Sequence, residues 1–209
     1  MDGLIIDSEP LWRLAERESF ARVGLVLTDD ECRRTMGLRS DEVVGYWFAR
    51  RPWSTLSQEE VVRDLEVRVA NLISARGVAL PGVLVAIEHL RDAGLRLALA
   101  SSSSHDLIRV VLEALGMEGT FEVLSSGADE ERGKPDPAVY LTTVQRLDLP
   151  ADECVAFEDS VAGVQAAHAA GCRVVAVPSP EDFDDPRFDL ADHKLHSLED
   201  LDLGLISQP

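Results

Sequence analysis

The sequence has few cysteines, and their spacing excludes the usual cysteine-based sites. The 209 residues contain three cysteines, Cys32, Cys154 and Cys172, and no Cys-x-x-Cys pair. An odd and scattered set builds neither a disulfide framework nor a zinc site, so we interpret all three as small buried apolar residues. This interpretation predicts a reducing compartment and favours a cytoplasmic protein.

Basic residues and long apolar runs are also scarce. Lysine and arginine total 20 against 38 aspartates and glutamates, which gives a formal net charge of −18. A chain this acidic is repelled by a nucleic-acid backbone and by an acidic lipid surface. The longest apolar stretches, such as 95–100, are far too short to span a bilayer, and no charged-then-apolar signal segment opens the chain. We expect no nucleic-acid or membrane partner, and nothing in the sequence demands more than a monomer.

The first third of the chain has a helical pattern. From Ser8 to about Ala79 the apolar residues recur at helical spacing, and no convincing strand interrupts them. Ser57-Gln58-Glu59-Glu60 has the pattern of a capping box and opens one of these helices. This stretch therefore predicts an all-helical unit.

After Leu80 the pattern changes to strands that alternate with helices. Such alternation predicts parallel β-α units, with helices on both faces of one sheet. The fold class expected from the sequence is α/β, with a helical insert near the N-terminus. The predicted strands are 95–100, 122–124, 154–157 and 173–177, and the predicted helices run from 83 to about 94, 105–115, 137–147 and 160–170.

Polar residues follow the predicted strands, where ligands bind in sheets of this kind. Ser101 to Ser104 end one strand, and they fit either a phosphate cradle or a serine-rich helix cap. Lys134 lies between Gly133 and Pro135, in a loop where it could reach a phosphate or remain a solvated surface lysine. Both interpretations stay open for each segment.

Two adjacent acids, Glu158 and Asp159, end the strand 154–157. Paired carboxylates at a strand end suit a hard cation such as Mg²⁺, which takes one or two carboxylates and keeps several waters. The alternative is an acidic helix cap made by Asp159 or Ser160. The metal interpretation is favoured, because an apolar strand delivers both charges to one place.

The order of these segments resembles the haloacid dehalogenase superfamily of phosphatases along the whole chain. The opening MDGLIIDS is similar to that superfamily's first motif, Asp-x-Asp-Gly-x-x-x-Asp-Ser. Ser101 resembles the second motif, Lys134 the third and Glu158-Asp159 the fourth. The resemblance implies a Rossmann-like core, residues 1–7 and 80–209, with an inserted helical cap of the C1 type, residues 8–79.

Longer strings narrow the resemblance to the hexitol phosphatase and 2-deoxyglucose-6-phosphate phosphatase subgroup. These strings are DGLIIDSEPLW at 2–12, MGLRSDEVVGYWFARRPW at 36–53, FEDSVAGV at 157–164 and DPRFDLADHKLHSL at 185–198. They imply a Mg²⁺-dependent phosphatase for small sugar phosphates or sugar-alcohol phosphates. The related β-phosphoglucomutases carry a histidine where this chain has Pro10-Leu11-Trp12, so hydrolysis is favoured over a mutase reaction.

The resemblance also implies a role for each site residue. Asp2 would be the general acid and base and would offer its backbone carbonyl to Mg²⁺, which Glu158 and Asp159 would also bind. Ser101, the Ser102 amide and Lys134 would hold the phosphoryl group. Arg39, in the cap, would bind the substrate, although a surface arginine fits the sequence equally well.

The first acid of the Asp-x-Asp motif is absent from the 209 residues. In the family this acid attacks phosphorus and forms an aspartyl-phosphate. Here Met1 matches the middle position, so the attacking acid and the apolar strand before it would precede Met1, and we expect a central first strand to be missing. The 209-residue chain should then be nearly inactive. Either translation begins further upstream and the natural protein carries the attacking acid, or the protein is a non-catalytic binder of phosphosugars.

Overall fold

Four helices form the region that the sequence predicts to be helical. The computed structural model describes residues 1–206, and within them this region holds α1 (Glu9–Ala21), α2 (Asp29–Arg33), α3 (Ser40–Arg50) and α4 (Gln58–Arg76). The predicted capping box at Ser57 is confirmed, since its side chain accepts from the Glu60 amide and the Glu60 side chain accepts from the Ser57 amide. Thr28 starts α2 in the same way.

An apolar cluster holds these helices together. Phe20, Val44 and Trp47 are almost fully buried in it. Trp53 packs edge-on against Phe20. The tryptophans at 47 and 53 therefore serve the interior of the helical region, as aromatic side chains commonly do.

The rest of the chain alternates strands and helices, as predicted. The larger elements are α5 (Val83–Asp92), β1 (Ala98–Ser101), α6 (His105–Leu115), β2 (Val123–Ser126), α7 (Ala138–Leu147), β3 (Val155–Glu158), α8 (Val161–Ala169), β4 (Arg173–Ala176), β5 (His193–Lys194) and α9 (Leu203–Ile206). Short 3₁₀ turns at 127–129, 151–153, 186–190 and 198–200 connect some of them. No helix within residues 1–206 is both long and apolar enough to cross a lipid bilayer.

The strands pair in parallel, but they form two sheets. Within the described residues β1 pairs with β2, and β3, β4 and β5 form a second sheet in that order. A mostly apolar groove of about 540 Å³, the inter-sheet groove, is lined by residues of β1 on one side and of β3 on the other. Met1 also lines it. The groove thus separates the two sheets within the described residues.

Two short segments join the helical region to the α/β part. Ile6 and Ala79 form an antiparallel bridge, and the Asp7 amide donates to the Val78 carbonyl at 3.0 Å. The Leu80 amide donates to the Ile5 carbonyl at 3.3 Å. These paired segments lie at the predicted cap boundaries, residues 7/8 and 79/80, and the division itself stays a prediction.

The prediction for β1 was wrong at its start, and a helix end explains the error. The strand begins at Ala98 rather than Leu95. Gly94 has φ +77°, and the Leu95 amide donates back to the Leu90 carbonyl at 3.1 Å, which closes α5 in a Schellman turn. Leu95 therefore belongs to the end of the helix. The two-residue strand β5 escaped prediction because it is too short to show alternation.

Candidate active site

Several strand ends meet the helical region at one cavity. This cavity, the strand-end cavity, has a volume of about 70 Å³. Six of the seven predicted site residues line it: Asp2, Ser101, Ser102, Lys134, Glu158 and Asp159. The opposite side is lined mainly by α1 and by residues 32–38. The seventh predicted residue, Arg39, is not among the lining residues.

Three neutral donors hold the Asp2 carboxylate. Ser8 Oγ and Trp12 Nε1 donate to Asp2 Oδ1 at 2.7 and 2.9 Å, and Ser103 Oγ donates to Oδ2 at 2.9 Å. Two of these donors come from the helical region and one from the loop after β1. The carboxylate is therefore fixed in direction and joins the two parts of the molecule.

Ser8 does not cap α1 with its side chain, although it stands at the N-cap position. Its hydroxyl is used by Asp2 instead.

Gly3 is required by the close approach of Asp159. Its φ is +68°, and a Cβ there would collide with the Asp159 carboxylate. A left-handed backbone and this lack of space both favour glycine. The Asp-Gly turn at the start of the chain thus lets two acids, Asp2 and Asp159, lie at one cavity.

Lys134 and Glu158 form a buried ion pair. The side chains are only 6% and 5% exposed, and Lys134 Nζ binds Glu158 Oε1, which also accepts from the Tyr140 hydroxyl. Burial acts to raise the pKa of Glu158, but the Lys134 ammonium and these hydrogen bonds hold it below its ordinary value. The interpretation of Lys134 as a solvated loop lysine is therefore wrong.

The serines after β1 are used differently from one another. Ser101 Oγ accepts from the Ser103 amide at 3.1 Å and stays buried at the cavity. Ser102 Oγ donates to the Gly37 carbonyl at 2.8 Å, which ties the strand end to the helical region. Ser104 stands at the N-cap of α6 without a capping hydrogen bond from its side chain. The helix-cap interpretation of the serine run is therefore not supported.

Arg39 binds the core rather than the cavity. Its Nη1 donates to the carbonyls of Gly127 and Glu130 at 3.1 and 2.7 Å, and its Nη2 pairs with Asp41 at 2.7 Å. Glu42 adds a further bond by accepting from the Gly133 amide at 3.0 Å, next to Lys134. In this arrangement Arg39 fastens the helical region, and its role toward substrate stays a prediction.

The acids of the cavity fit a hard divalent cation. Burial and the neighbouring Glu158 charge raise the pKa of Asp159 to about 8, so its ionised form lacks sufficient compensation. A cation beside it would supply that compensation. Within residues 1–206 no group of three or more His, Cys, Asp or Glu is arranged to hold a metal. A site here would thus depend on two carboxylates, a backbone carbonyl and water, a donor set that suits Mg²⁺.

The α1 side of the cavity carries charged residues that sequence reasoning missed. Glu9, Trp12, Arg13 and Glu16 all line the cavity, and their spacing of i, i+3, i+4 and i+7 places them on one face of the helix. The contacts of Ser103 with Asp2 and of Tyr140 with Glu158 were missed as well. The helical spacing of 9, 12, 13 and 16 was a usable signal, but it indicates a shared face and not what that face contacts.

Comparison with known proteins adds family information to this geometry. The family model described as haloacid dehalogenase-like hydrolase matches residues 1–177. Hexitol phosphatase B of Escherichia coli K12 is 42% identical over 202 residues, which cover 96% of this chain and 91% of that protein.

Solved structures have the same fold. The crystal structure of CbbY from Rhodobacter sphaeroides in complex with phosphate matches with a TM-score of 0.88 and 26% identity, covering 100% of this chain and 96% of that one. A β-phosphoglucomutase from Clostridium difficile matches with a TM-score of 0.83 and 21% identity, covering 98% and 92%. The second likeness is shown at the level of the fold alone.

Proposed function

Because this chain belongs to the haloacid dehalogenase-like hydrolases, we propose that its strand-end cavity is the active site of a Mg²⁺-dependent phosphatase for sugar-alcohol phosphates and small sugar phosphates. The chain is a phosphoric monoester hydrolase of the sugar-phosphate phosphatase type. The metal, the residue roles and the preference for hexitol phosphates go beyond the family. The name of the 42% identical hexitol phosphatase supports that preference.

The observation that carries the proposal is that a buried cation, a buried hydroxyl and a fixed acid line one cavity. Lys134 and Ser101 are suited to bind phosphoryl oxygens, with the Ser102 amide beside them. Such preorganised donors stabilise the negative charge that develops on a transferring phosphoryl group. Lys134 does so as a point charge that Glu158 holds in place.

Asp2 is placed for proton transfer. Its carboxylate is held at both oxygens by Ser8, Trp12 and Ser103. From this position it would protonate the leaving oxygen of the substrate and then take a proton from the attacking water. Mg²⁺, when bound by Asp159, Glu158 and the Asp2 carbonyl, would neutralise charge on the phosphoryl group.

In the family's first motif the attacking carboxylate stands two positions before the acid matched by Asp2, so in an extended chain it would be the residue added directly before Met1. It would form the aspartyl-phosphate that water then hydrolyses. We therefore expect the 209 residues alone to be nearly inactive, while still able to bind phosphate.

A pair of extended chains tests this function. Both carry an added segment of about six apolar residues before Met1, designed as a strand for the inter-sheet groove. The last residue of the segment, directly before Met1, is Asp in one chain and Asn in the other. The assay is phosphate release from sorbitol 6-phosphate with Mg²⁺, and again with Mg²⁺ removed by a chelator. We expect the Asp form to turn over at roughly 1–1000 per second and the Asn form to be nearly inactive.

Each outcome has a distinct meaning. If the Asp form hydrolyses no phosphomonoester although it folds as well as the Asn form, the phosphatase proposal is wrong. If the 209-residue chain matches the Asp form in rate, the role assigned to the preceding carboxylate is wrong. Full activity after chelation would contradict the proposal that the enzyme depends on Mg²⁺.

The mutase alternative rests on the likeness of fold and is opposed by one contact. The resemblance implies a mutase histidine in the segment where this chain has Pro10-Leu11-Trp12, and here Trp12 Nε1 donates to Asp2 Oδ1 at 2.9 Å. An indole cannot exchange protons as imidazole does. Formation of isomerised sugar phosphate in the presence of a sugar bisphosphate would revive this alternative.

A further inference from the structure

The face of α1 that lines the strand-end cavity is polar, whereas the face that packs in the interior of the protein is apolar. Leu11 and Ala15, on another face of α1, are buried in the main apolar cluster. The cavity face carries two acids, Glu9 and Glu16, and one base, Arg13. Burying charge at a helix face is costly unless the charge has a partner. The partners of these residues therefore indicate what the face binds.

Glu16 lacks a full set of partners. The residue is 6% exposed, and its Oε2 has no hydrogen-bond partner among the residues that the structure describes. The Glu16 carboxylate does accept a hydrogen bond from the thiol of Cys32, but a thiol is a weak donor. Arg13 Nη1 is 3.8 Å from Glu9 Oε2, so the arginine charge is partly compensated by Glu9. One buried carboxylate oxygen is thus left for a ligand at the cavity.

The chemistry of an acid selects the part of the substrate that can lie here. Carboxylate oxygens accept hydrogen bonds, and hydroxyl groups donate them. A phosphate group offers acceptors and negative charge, so the ionised forms of Glu9 and Glu16 would repel it toward Lys134. Burial raises the pKa of Glu16 to about 7, so near neutral pH it can either accept from or donate to a hydroxyl.

We propose that Glu16 binds hydroxyl groups of the substrate's polyol chain and so makes the enzyme prefer hydroxyl-rich phosphomonoesters over phosphorylated alkyl alcohols and over sugar bisphosphates. The inference rests on the proposed function, because it takes the Lys134 end of the cavity as the phosphate end. Trp12 fixes the distance between the two ends, since it belongs to the same helix face as Glu16 and is bonded to Asp2.

Calorimetric binding to the 209-residue chain with Mg²⁺ tests the inference without turnover. The ligands are inorganic phosphate, sorbitol 6-phosphate and hexyl phosphate, which matches the hexitol ester in length but has no hydroxyl groups. We expect Glu16→Leu to weaken sorbitol 6-phosphate about 10- to 100-fold and to leave the other two unchanged or slightly tighter. Glu16→Gln keeps an acceptor oxygen in place and should lose only several-fold. Glu18→Leu, at an exposed position of α1, is the matched control.

The outcomes separate this inference from the proposed function. If the wild-type chain binds no inorganic phosphate, both fail. If it binds phosphate but does not prefer sorbitol 6-phosphate to hexyl phosphate, only the present inference fails. A Glu16→Leu variant that weakens all three ligands equally would show a purely structural role and overturn it. Should that variant not fold, an unchanged preference in Glu16→Gln and in Glu16→Ala would overturn it.

Discussion

On the core side of the strand-end cavity Lys134 and Glu158 neutralise each other, whereas on the α1 side Glu16 is buried and one of its oxygens has no partner within residues 1–206. Both sides bury charge to a similar degree. The Lys134–Glu158 pair has a complete set of partners, as expected of groups that bind the same phosphoryl group in every substrate, while Asp159 beside it is left for the proposed cation. The α1 side lacks a hydrogen-bond partner for one Glu16 oxygen within the described residues, as expected of a surface that binds the variable part of a substrate. Four predictions test this contrast, from the largest expected effect to the smallest.

Breaking the core pair should have the largest effect on stability. Lys134→Met removes the cation and leaves the Glu158 carboxylate buried without it. Removal of one partner of a buried pair commonly costs about 3–5 kcal/mol of unfolding free energy. Urea unfolding measures the loss, and calorimetry should show that phosphate binding has disappeared.

The control is Lys134→Met combined with Glu158→Gln, which removes both charges. It should recover much of the stability and none of the phosphate binding. A single variant as stable as the wild type would mean that the pair does not hold the core side together.

Asp2→Asn, made in the Asp-extended chain, should lower kcat about 10²- to 10⁴-fold. Asparagine keeps an oxygen for Ser8 and Trp12, so folding and KM should change little. Ser103→Ala removes one bond to Asp2 and should reduce kcat less than tenfold. An Asp2→Asn variant that mainly raises KM would contradict the assignment of Asp2 as acid and base.

The unpaired acid on the α1 side predicts a dependence of stability on pH. Burial raises the pKa of Glu16 from about 4.5 to about 7, so the folded state favours the protonated form. The stability associated with that form is complete below pH 4.5 and is lost as the pH rises toward 7. Glu16→Gln, which never ionises, should match the wild type at pH 4 and exceed it by up to about 3 kcal/mol at pH 8.

Urea midpoints measured between pH 4 and pH 8 check this expectation. Glu18→Gln is the control, because Glu18 is exposed on the same helix and should change little at any pH. A difference between Glu16→Gln and wild type that stays constant with pH would contradict it.

The same contrast explains what the sequence could reveal. Much of the core side was predictable because Ser101 and Glu158 end parallel strands and Ser102 and Asp159 come directly after them, and ligands bind at the carboxyl ends of such strands. Six of the seven predicted residues line the cavity, and Asp2 among them was predicted from the family resemblance rather than from a strand end. The contacts of Arg39 and Glu16 were not predictable, because they depend on how the helical region lies against the core.

Ser102 sharpens the comparison with the smallest expected effect, since its hydroxyl lies at the core side but bonds to the helical region. Ser102→Ala removes the bond from Oγ to the Gly37 carbonyl and leaves the backbone amide intact. Loss of one such bond is worth about 1 kcal/mol, or about fivefold in affinity. If the hydroxyl serves only to hold the two sides together, sorbitol 6-phosphate should weaken by that factor, because it needs both sides, while inorganic phosphate should not. An equal loss of affinity for inorganic phosphate would show that the Ser102 hydroxyl itself belongs to the phosphate site. Ser102 would then not serve only to hold the core side to the α1 side through Gly37.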